Sequence, residues 1–159
     1  MLIDYSALEN ETIEILKNNM IGVLSTSFID KVTSRNMCIV NIGLDIYFQT
    51  NKKYNKYIQM TKNKNVSLCF SNISIEGTAE EIGSWEDEDN KEILELYKDK
   101  HASSYEKYGN LDGQVAFKII PKKISYWKSF GDEPVREIMY VDRKMAERKP
   151  DRVLCNRLR

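Results

Sequence analysis

The chain has 159 residues, 42% of them hydrophobic and 30% charged, which suits one soluble domain with a real core. Its 24 basic and 24 acidic side chains cancel, so no global field draws nucleic acid or an anionic membrane. Apolar runs stop at four or five residues, far short of the ~20 that a membrane helix needs.

The opening Met-Leu-Ile-Asp-Tyr-Ser lacks the basic-then-apolar order of a secretory leader. Cys38, Cys69 and Cys155 are an odd set without CxxC spacing. Cys38 and Cys69 fall inside apolar strand-like runs, where a free thiol acts as a small hydrophobe. These features point to a reduced, cytoplasmic protein without structural disulfides. A zinc site is not expected, because His101 is the single histidine and the cysteines are scattered.

In chain order, Ser6-Ala-Leu-Glu9 has capping-box spacing, and Leu8, Thr12, Ile15 and Leu16 share a helical face, predicting a helix over 6–19. Short strands follow at 21–27 and 33–41, and Gly43 turns the chain into a third at 44–50. A meander of short strands with tight turns argues for an antiparallel sheet. A helix then begins at Thr50-Asn51, with Tyr54, Tyr57, Ile58 and Thr61 at spacings of three and four, and ends near 63–65.

Lys56 lies about one turn into that helix. Helix N-termini carry free N–H groups and partial positive charge, so the hydroxyl of Thr50, the amide of Asn51 and the ammonium of Lys56 suit a phosphoryl group. The same residues also suit a capped helix with solvated lysines, and taken alone they leave both readings open.

Strands four and five are expected at 66–70 and 73–82, with Gly77 as a bulge or a close approach. Residues 86–100 are acidic first and basic last, as a helix dipole prefers; Glu86 to Asp89 form the helix start, not a metal site. Residues 101–113 read as a polar loop with His101 at the surface. Tyr105 and Tyr108 there either line a pocket or pack locally. Strand six spans 114–120, Pro121 breaks it, and a seventh strand spans 123–127. The domain is expected to end at 142. The tail 143–159 is basic, with seven Lys/Arg against Glu147 and Asp151, and is expected to pack on the domain or on a partner. Many short strands and few helices predict a mainly β fold, a small barrel with helices packed outside.

Four pieces of this order resemble the pyridoxamine 5′-phosphate oxidase-like family of FMN-binding split barrels. They are the opening helix leading into Gly22-Val-Leu-Ser-Thr26; Ser34-Arg35-Asn36-Met37; Tyr47-Phe-Gln-Thr50-Asn51 with Lys56 and Asn65-Val-Ser-Leu68; and Phe117-Lys-Ile-Ile-Pro121 with Ile124-Ser-Tyr-Trp127. The resemblance covers roughly residues 9–127. It implies a six- to seven-stranded antiparallel split barrel and an obligate homodimer with two FMN sites at its interface.

It also implies roles. Thr50 and Lys56 match residues that bind the FMN phosphate, with Asn51 beside them. Arg35 matches a cation reaching the phosphate and ribityl chain. Asn36, Met37 and Cys38 match the strand along the flavin ring. Asn72 falls near a side-chain amide that bonds the ring edge, and Trp127 matches a tryptophan near the cofactor.

One departure is plain. True pyridoxamine phosphate oxidases carry a C-terminal Arg-x-His pair that reads the substrate. Here Trp127 is followed by Lys-Ser-Phe-Gly-Asp-Glu-Pro-Val-Arg136-Glu-Ile, without histidine, so vitamin B6 chemistry is not expected. The expected activity is reduction of a small organic molecule with NAD(P)H as donor, since a flavin supplies the redox step and needs no catalytic side chain. The alternative is a split barrel that binds haem, or one without turnover. Neither nucleic acid nor membrane is an expected partner.

Overall fold

A computed structural model of the chain describes residues 1–150. Strand β1 (Leu2–Ile3) leads into helix α1 (Tyr5–Asn18). Asp4, not Ser6, caps α1, its carboxylate accepting from the Ala7 N–H at 3.1 Å. Then come β2 (Ile21–Phe28), β3 (Lys31–Cys38), β4 (Val40–Ile42), β5 (Asp45–Asn51), α2 (Asn55–Lys62), β6 (Asn65–Phe70) and β7 (Ile73–Gly83). A 3-10 turn, Glu88–Asn90, runs into α3 (Lys91–Lys100), followed by α4 (Ala102–Tyr108). The chain continues through β8 (Gln114–Phe130), β9 (Glu133–Tyr140) and β10 (Met145–Pro150).

All ten strands join one antiparallel sheet, in the order β1-β10-β9-β8-β7-β6-β2-β3, with β5 also on β8 and β4 on β5. The fold is mainly β with flanking helices, as expected, but the described residues form ten strands, not six or seven. The long β8 explains the topology. Its first half pairs β5, from Asn51↔Gln114 to Ile46↔Ile119, and its second half pairs β9, from Lys123↔Tyr140 to Phe130↔Glu133. The sheet thereby curls until β3 and β5 touch without pairing, and the barrel is split there.

Pro121 does not break β8. It sits opposite Gly77, where the β7–β8 register slips between Glu76 and Gly77. A bulge tolerates the missing N–H. A Cβ on Gly77 would lie 2.4 Å from the Ile120 carbonyl oxygen, so only glycine allows that approach.

The main core lies inside the curl. Leu24, Ile46, Phe48, Leu68, Ile75, Phe117, Ile119 and Ile124 are fully buried, and α1 adds Leu8 and Leu16. A second cluster, Trp85, Ile93, Leu94 and Tyr97, seals α3 onto Val40 and Tyr47. Strand β5 therefore lies between two apolar layers and is buried on both faces.

The expected loop at 101–113 is largely helix α4, and His101 between α3 and α4 is buried. Its Nε2 bonds the Ile39 carbonyl oxygen at 2.9 Å, and its ring lies 5.0 Å from that of Tyr97. Burial pushes its pKa down, with Lys100 adding to this against the pull of the Ile39 carbonyl, so the ring is neutral and Nε2–H donates. Cys69, expected inside, is exposed, because β6 turns Val66, Leu68 and Phe70 inward and its odd positions outward. Residues 145–150 of the basic tail form β10; residues 151–159 lie outside the described residues.

Candidate functional site

The split between β3 and β5 opens into a cleft of about 280 Å³. Asn36, Met37 and Cys38 line it from β3, and Gln49 and Thr50 from β5. Tyr54 and Lys56 enter from the start of α2, Tyr97 and Ser104 from α3 and α4, and Tyr108 and Gln114 complete the lining.

The turn before α2 is built from its own residues. Asn51 accepts the Lys53 N–H at 3.0 Å, donates to the Asp112 carbonyl at 2.8 Å, and offers its own carbonyl to Tyr54 N–H at 3.0 Å. Asn51 thus shapes the turn, and α2 starts four residues later than the sequence pattern places it. Tyr54 caps the helix without a side-chain bond, and Lys56 sits in the first turn, its Nζ 4.6 Å from the Tyr54 ring centroid.

Arg35 projects inward from β3. Its guanidinium donates to the Leu24 carbonyl at 3.1 Å, to the Thr26 hydroxyl at 2.7 Å and to the Thr33 hydroxyl. Gln59 of α2 accepts from both hydroxyls at 2.7 Å, tying β2, β3 and α2 together. Arg35 and Lys56 are close enough to repel. Burial pushes the Lys56 pKa down and the Arg35 charge pushes it further; burial also lowers that of Arg35. Neither cation has a carboxylate within ion-pair distance among the described residues.

Two buried side-chain atoms of the cleft residues have no hydrogen-bond partner within the chain, Thr50 Oγ1 and Gln114 Oε1. Buried polar groups rarely stay unpaired without a reason. A phosphate ester would satisfy the cleft groups, with anionic oxygens for the Lys56 ammonium and for a hydroxyl that can donate; Arg35 stands behind Lys56, off the cleft lining and bonded to Leu24, Thr26 and Thr33, and adds its charge from there. The residues present fit an FMN phosphate.

Asn72 and Trp127 lie elsewhere. They hold each other, Asn72 Nδ2 donating to the Trp127 carbonyl at 2.7 Å and Trp127 N–H to that of Asn72 at 2.9 Å. The Arg136 guanidinium lies 5.1 Å from the Trp127 ring centroid, and a separate cleft of about 320 Å³ opens beside them. Four strand steps separate β3 from β8, or about 19 Å at the usual spacing, so Asn36 and Trp127 of one chain do not meet one ring.

Of the two tyrosines read from sequence, Tyr108 lines the main cleft, whereas Tyr105 bonds Glu86 at 2.8 Å. Tyr97, Ser104, Gln49 and Gln114 were not foreseen. Tyr97 carries no motif, Gln49 stood inside the Tyr47-to-Asn51 motif without a role of its own, and Gln114 marked only the start of strand six. A larger groove of about 410 Å³ runs outside β2, β6 and β7, but Lys123 there is paired with Glu76 at 2.8 Å and no unmatched buried group faces it.

No family model and no curated protein sequence matches the chain. Solved structures do. A Listeria innocua protein assigned provisionally as a pyridoxamine 5′-phosphate oxidase is 25% identical, with a TM-score of 0.60 over 77% of this chain and 99% of that one. An FAD-binding protein of Mesorhizobium loti is 14% identical, with a TM-score of 0.58 over 72% of this chain and 90% of that one. A heme-binding protein of Mycobacterium smegmatis is 12% identical, with a TM-score of 0.66 over 85% of this chain and 57% of that one. The chain shares the split-barrel fold of these structures and is similar to pyridoxamine 5′-phosphate oxidase-like proteins.

Proposed function

We propose that the chain binds FMN in the cleft between β3 and β5 and, as a two-fold dimer, uses it to reduce a small organic molecule with NAD(P)H as donor. The observation that carries this reading is the pair Arg35 and Lys56, half-buried and mutually repelling without a carboxylate between them. A phosphate dianion relieves both desolvation and repulsion. In this reading Lys56 and the Thr50 hydroxyl hold the phosphate, and Arg35 adds its charge from behind Lys56. The ring lies along the unpaired edge of β3 at Asn36 to Cys38. The flavin, when bound, supplies the redox chemistry, and the chain supplies position and exclusion of water.

The dimer is supported by the outer face of the sheet. From β3 across to β8 that face carries the small side chains of Ser34, Ser25, Ser67, Cys69, Ser74 and Ser125, with Val23 among them, which let another sheet approach closely beside the Glu76–Lys123 ion pair. Asn36 lies at one end of this face and Trp127 toward the other. A two-fold partner on it would bring its Asn72 and Trp127 toward this chain's cleft. Haem is less well supported. The single histidine is buried, with Nε2 committed to Ile39, which leaves that nitrogen unavailable as an axial ligand.

The absorbance spectrum of the purified protein and an FMN titration test the cofactor. Flavin bands with one FMN per chain are expected; a Soret band, or no flavin uptake, overturns the reading. Light scattering tests the dimer, and a stable monomer at micromolar concentration contradicts it. Turnover of pyridoxine or pyridoxamine phosphate is expected to be negligible.

A further inference from the structure

We propose that Gln114 accepts a hydrogen bond from the alcohol chain of the bound phosphate ester, so that the cleft selects a phosphate carried on a polyol; this rests on the flavin reading above. Gln114 Oε1 is buried and has no partner within the chain. Its amide cannot turn over to escape, because Nε2 donates to the Tyr108 carbonyl at 2.7 Å, and a flipped amide would set two oxygens against each other. The backbone beneath it is fixed as well. Gln114 N–H donates to the Leu111 carbonyl at 3.2 Å, Lys52 N–H to the Gly113 carbonyl at 2.9 Å, and Gln114 sits opposite Asn51 in the β5–β8 ladder.

An amide oxygen only accepts. Phosphate oxygens also accept, so Gln114 does not serve the phosphate itself. It needs a donor close to the phosphate, because its register partner Asn51 adjoins Thr50 at the turn into α2. In a phosphate ester the neighbouring atoms belong to the alcohol, and a polyol such as a ribityl chain presents hydroxyl donors there. Thr50 and Gln114 thus divide the ligand between them: the hydroxyl faces the phosphate and the amide oxygen its tail.

Equilibrium binding to the full chain separates these parts, with FMN, riboflavin and lumiflavin as probes. Lumiflavin has the same ring system but no hydroxyl chain. Gln114→Met is expected to weaken FMN and riboflavin roughly tenfold each and to leave lumiflavin within about twofold. Gln114→Asn, with a shorter reach, is expected to act in the same direction. The lumiflavin arm and a thermal melt guard against a collapsed cleft. Equal losses for riboflavin and lumiflavin would show that Gln114 acts only on cleft shape and would overturn the proposal. Unchanged riboflavin binding in a folded variant would overturn it while leaving the flavin reading intact. A wild-type chain that takes up neither FMN nor riboflavin would overturn both.

Discussion

Two places in this molecule bring a pair of cations out of water, and they resolve the problem in opposite ways. At the corner of α1, β8, β9 and β10, Lys128 and Arg148 converge on Glu137, whose side chain is only 3% exposed. Lys128 lies 2.8 Å from it and Arg148 2.6 Å, and Lys128 also holds Glu11 at 2.7 Å. Burial acts to lower the Lys128 pKa, but the two carboxylates outweigh it and hold the pKa above the ordinary lysine value. In the cleft, Lys56 shifts the other way, because its charged neighbour is Arg35. Charge matched within the chain belongs to the fold. Charge left unmatched at a cleft, next to an unpaired hydroxyl, belongs to something that arrives.

The comparison breaks most sharply at Glu137. Replacing it with alanine leaves Lys128 and Arg148 facing each other without their shared counter-ion. Loss of a buried ionic partner costs about 3 kcal/mol, taken at the low end because Arg148 keeps contact with water. At roughly 2–4 °C per kcal/mol for a chain of this size, the melting temperature should fall by about 6–12 °C. A drop under about 2 °C would show that the corner is not a stabilising network.

Lys56→Ala should do the reverse. It removes a repelling, half-desolvated charge, so the melting temperature without ligand should hold or rise. FMN affinity should fall by about ten- to a hundredfold, from loss of a charge-assisted bond worth roughly 1.5–3 kcal/mol. Riboflavin, which lacks the phosphate, should bind as before. Equal loss for both ligands would mean that Lys56 does not read the phosphate.

The contrast also marks what the sequence could reveal. Strands β2, β3, β5, β6 and β7, and helices α1, α2 and α3, were legible because their apolar residues keep one period, whereas β1 and β4, two and three residues long, are too short to show one. The last two strands were not. In β9 the inward positions are Val135, Glu137 and Met139, so the carboxylate that anchors the corner also interrupts the apolar alternation. In β10 only Ala146 is fully buried, and the surrounding basic residues read as a tail. His101 looked like a surface residue because its neighbours are polar, and only the turn between α3 and α4 sends its ring inward. In the cleft, Thr50 and Lys56 were legible through the strand-to-helix junction. Gln114 was not, since an unpaired carbonyl is a property of three-dimensional neighbours.

Acid sharpens the comparison further. Burial acts to raise the Glu137 pKa, but its hydrogen bonds and charge pairing with Lys128 and Arg148 hold it below the ordinary value of 4.5. The unfolded chain therefore takes up a proton at higher pH than the folded one. The stabilisation is complete above the ordinary carboxylate range and fades as pH falls through it toward the folded-state pKa. Thermal melts from pH 7 to pH 4 should decline, and Glu137→Gln should flatten that decline. An identical slope in the variant would assign the acid sensitivity to other carboxylates.

The smallest expected effect is the most selective. Thr50 is 3% exposed, and its hydroxyl has no partner within the chain. Thr50→Val keeps the shape and removes only that hydroxyl. An ordinary buried hydroxyl would lose a hydrogen bond in this exchange and destabilise the fold by about 1 kcal/mol. Here no bond within the chain is lost, and removing an unsatisfied polar atom should leave the melting temperature unchanged or slightly higher. If the hydroxyl instead serves a ligand, FMN affinity should fall by roughly fivefold, the worth of about one hydrogen bond. Melting without ligand and FMN titration on the same variant read the two effects apart. A lower melting temperature with unchanged FMN affinity would place Thr50 with Glu137, among residues that serve the fold, and would remove the hydroxyl from the phosphate cradle.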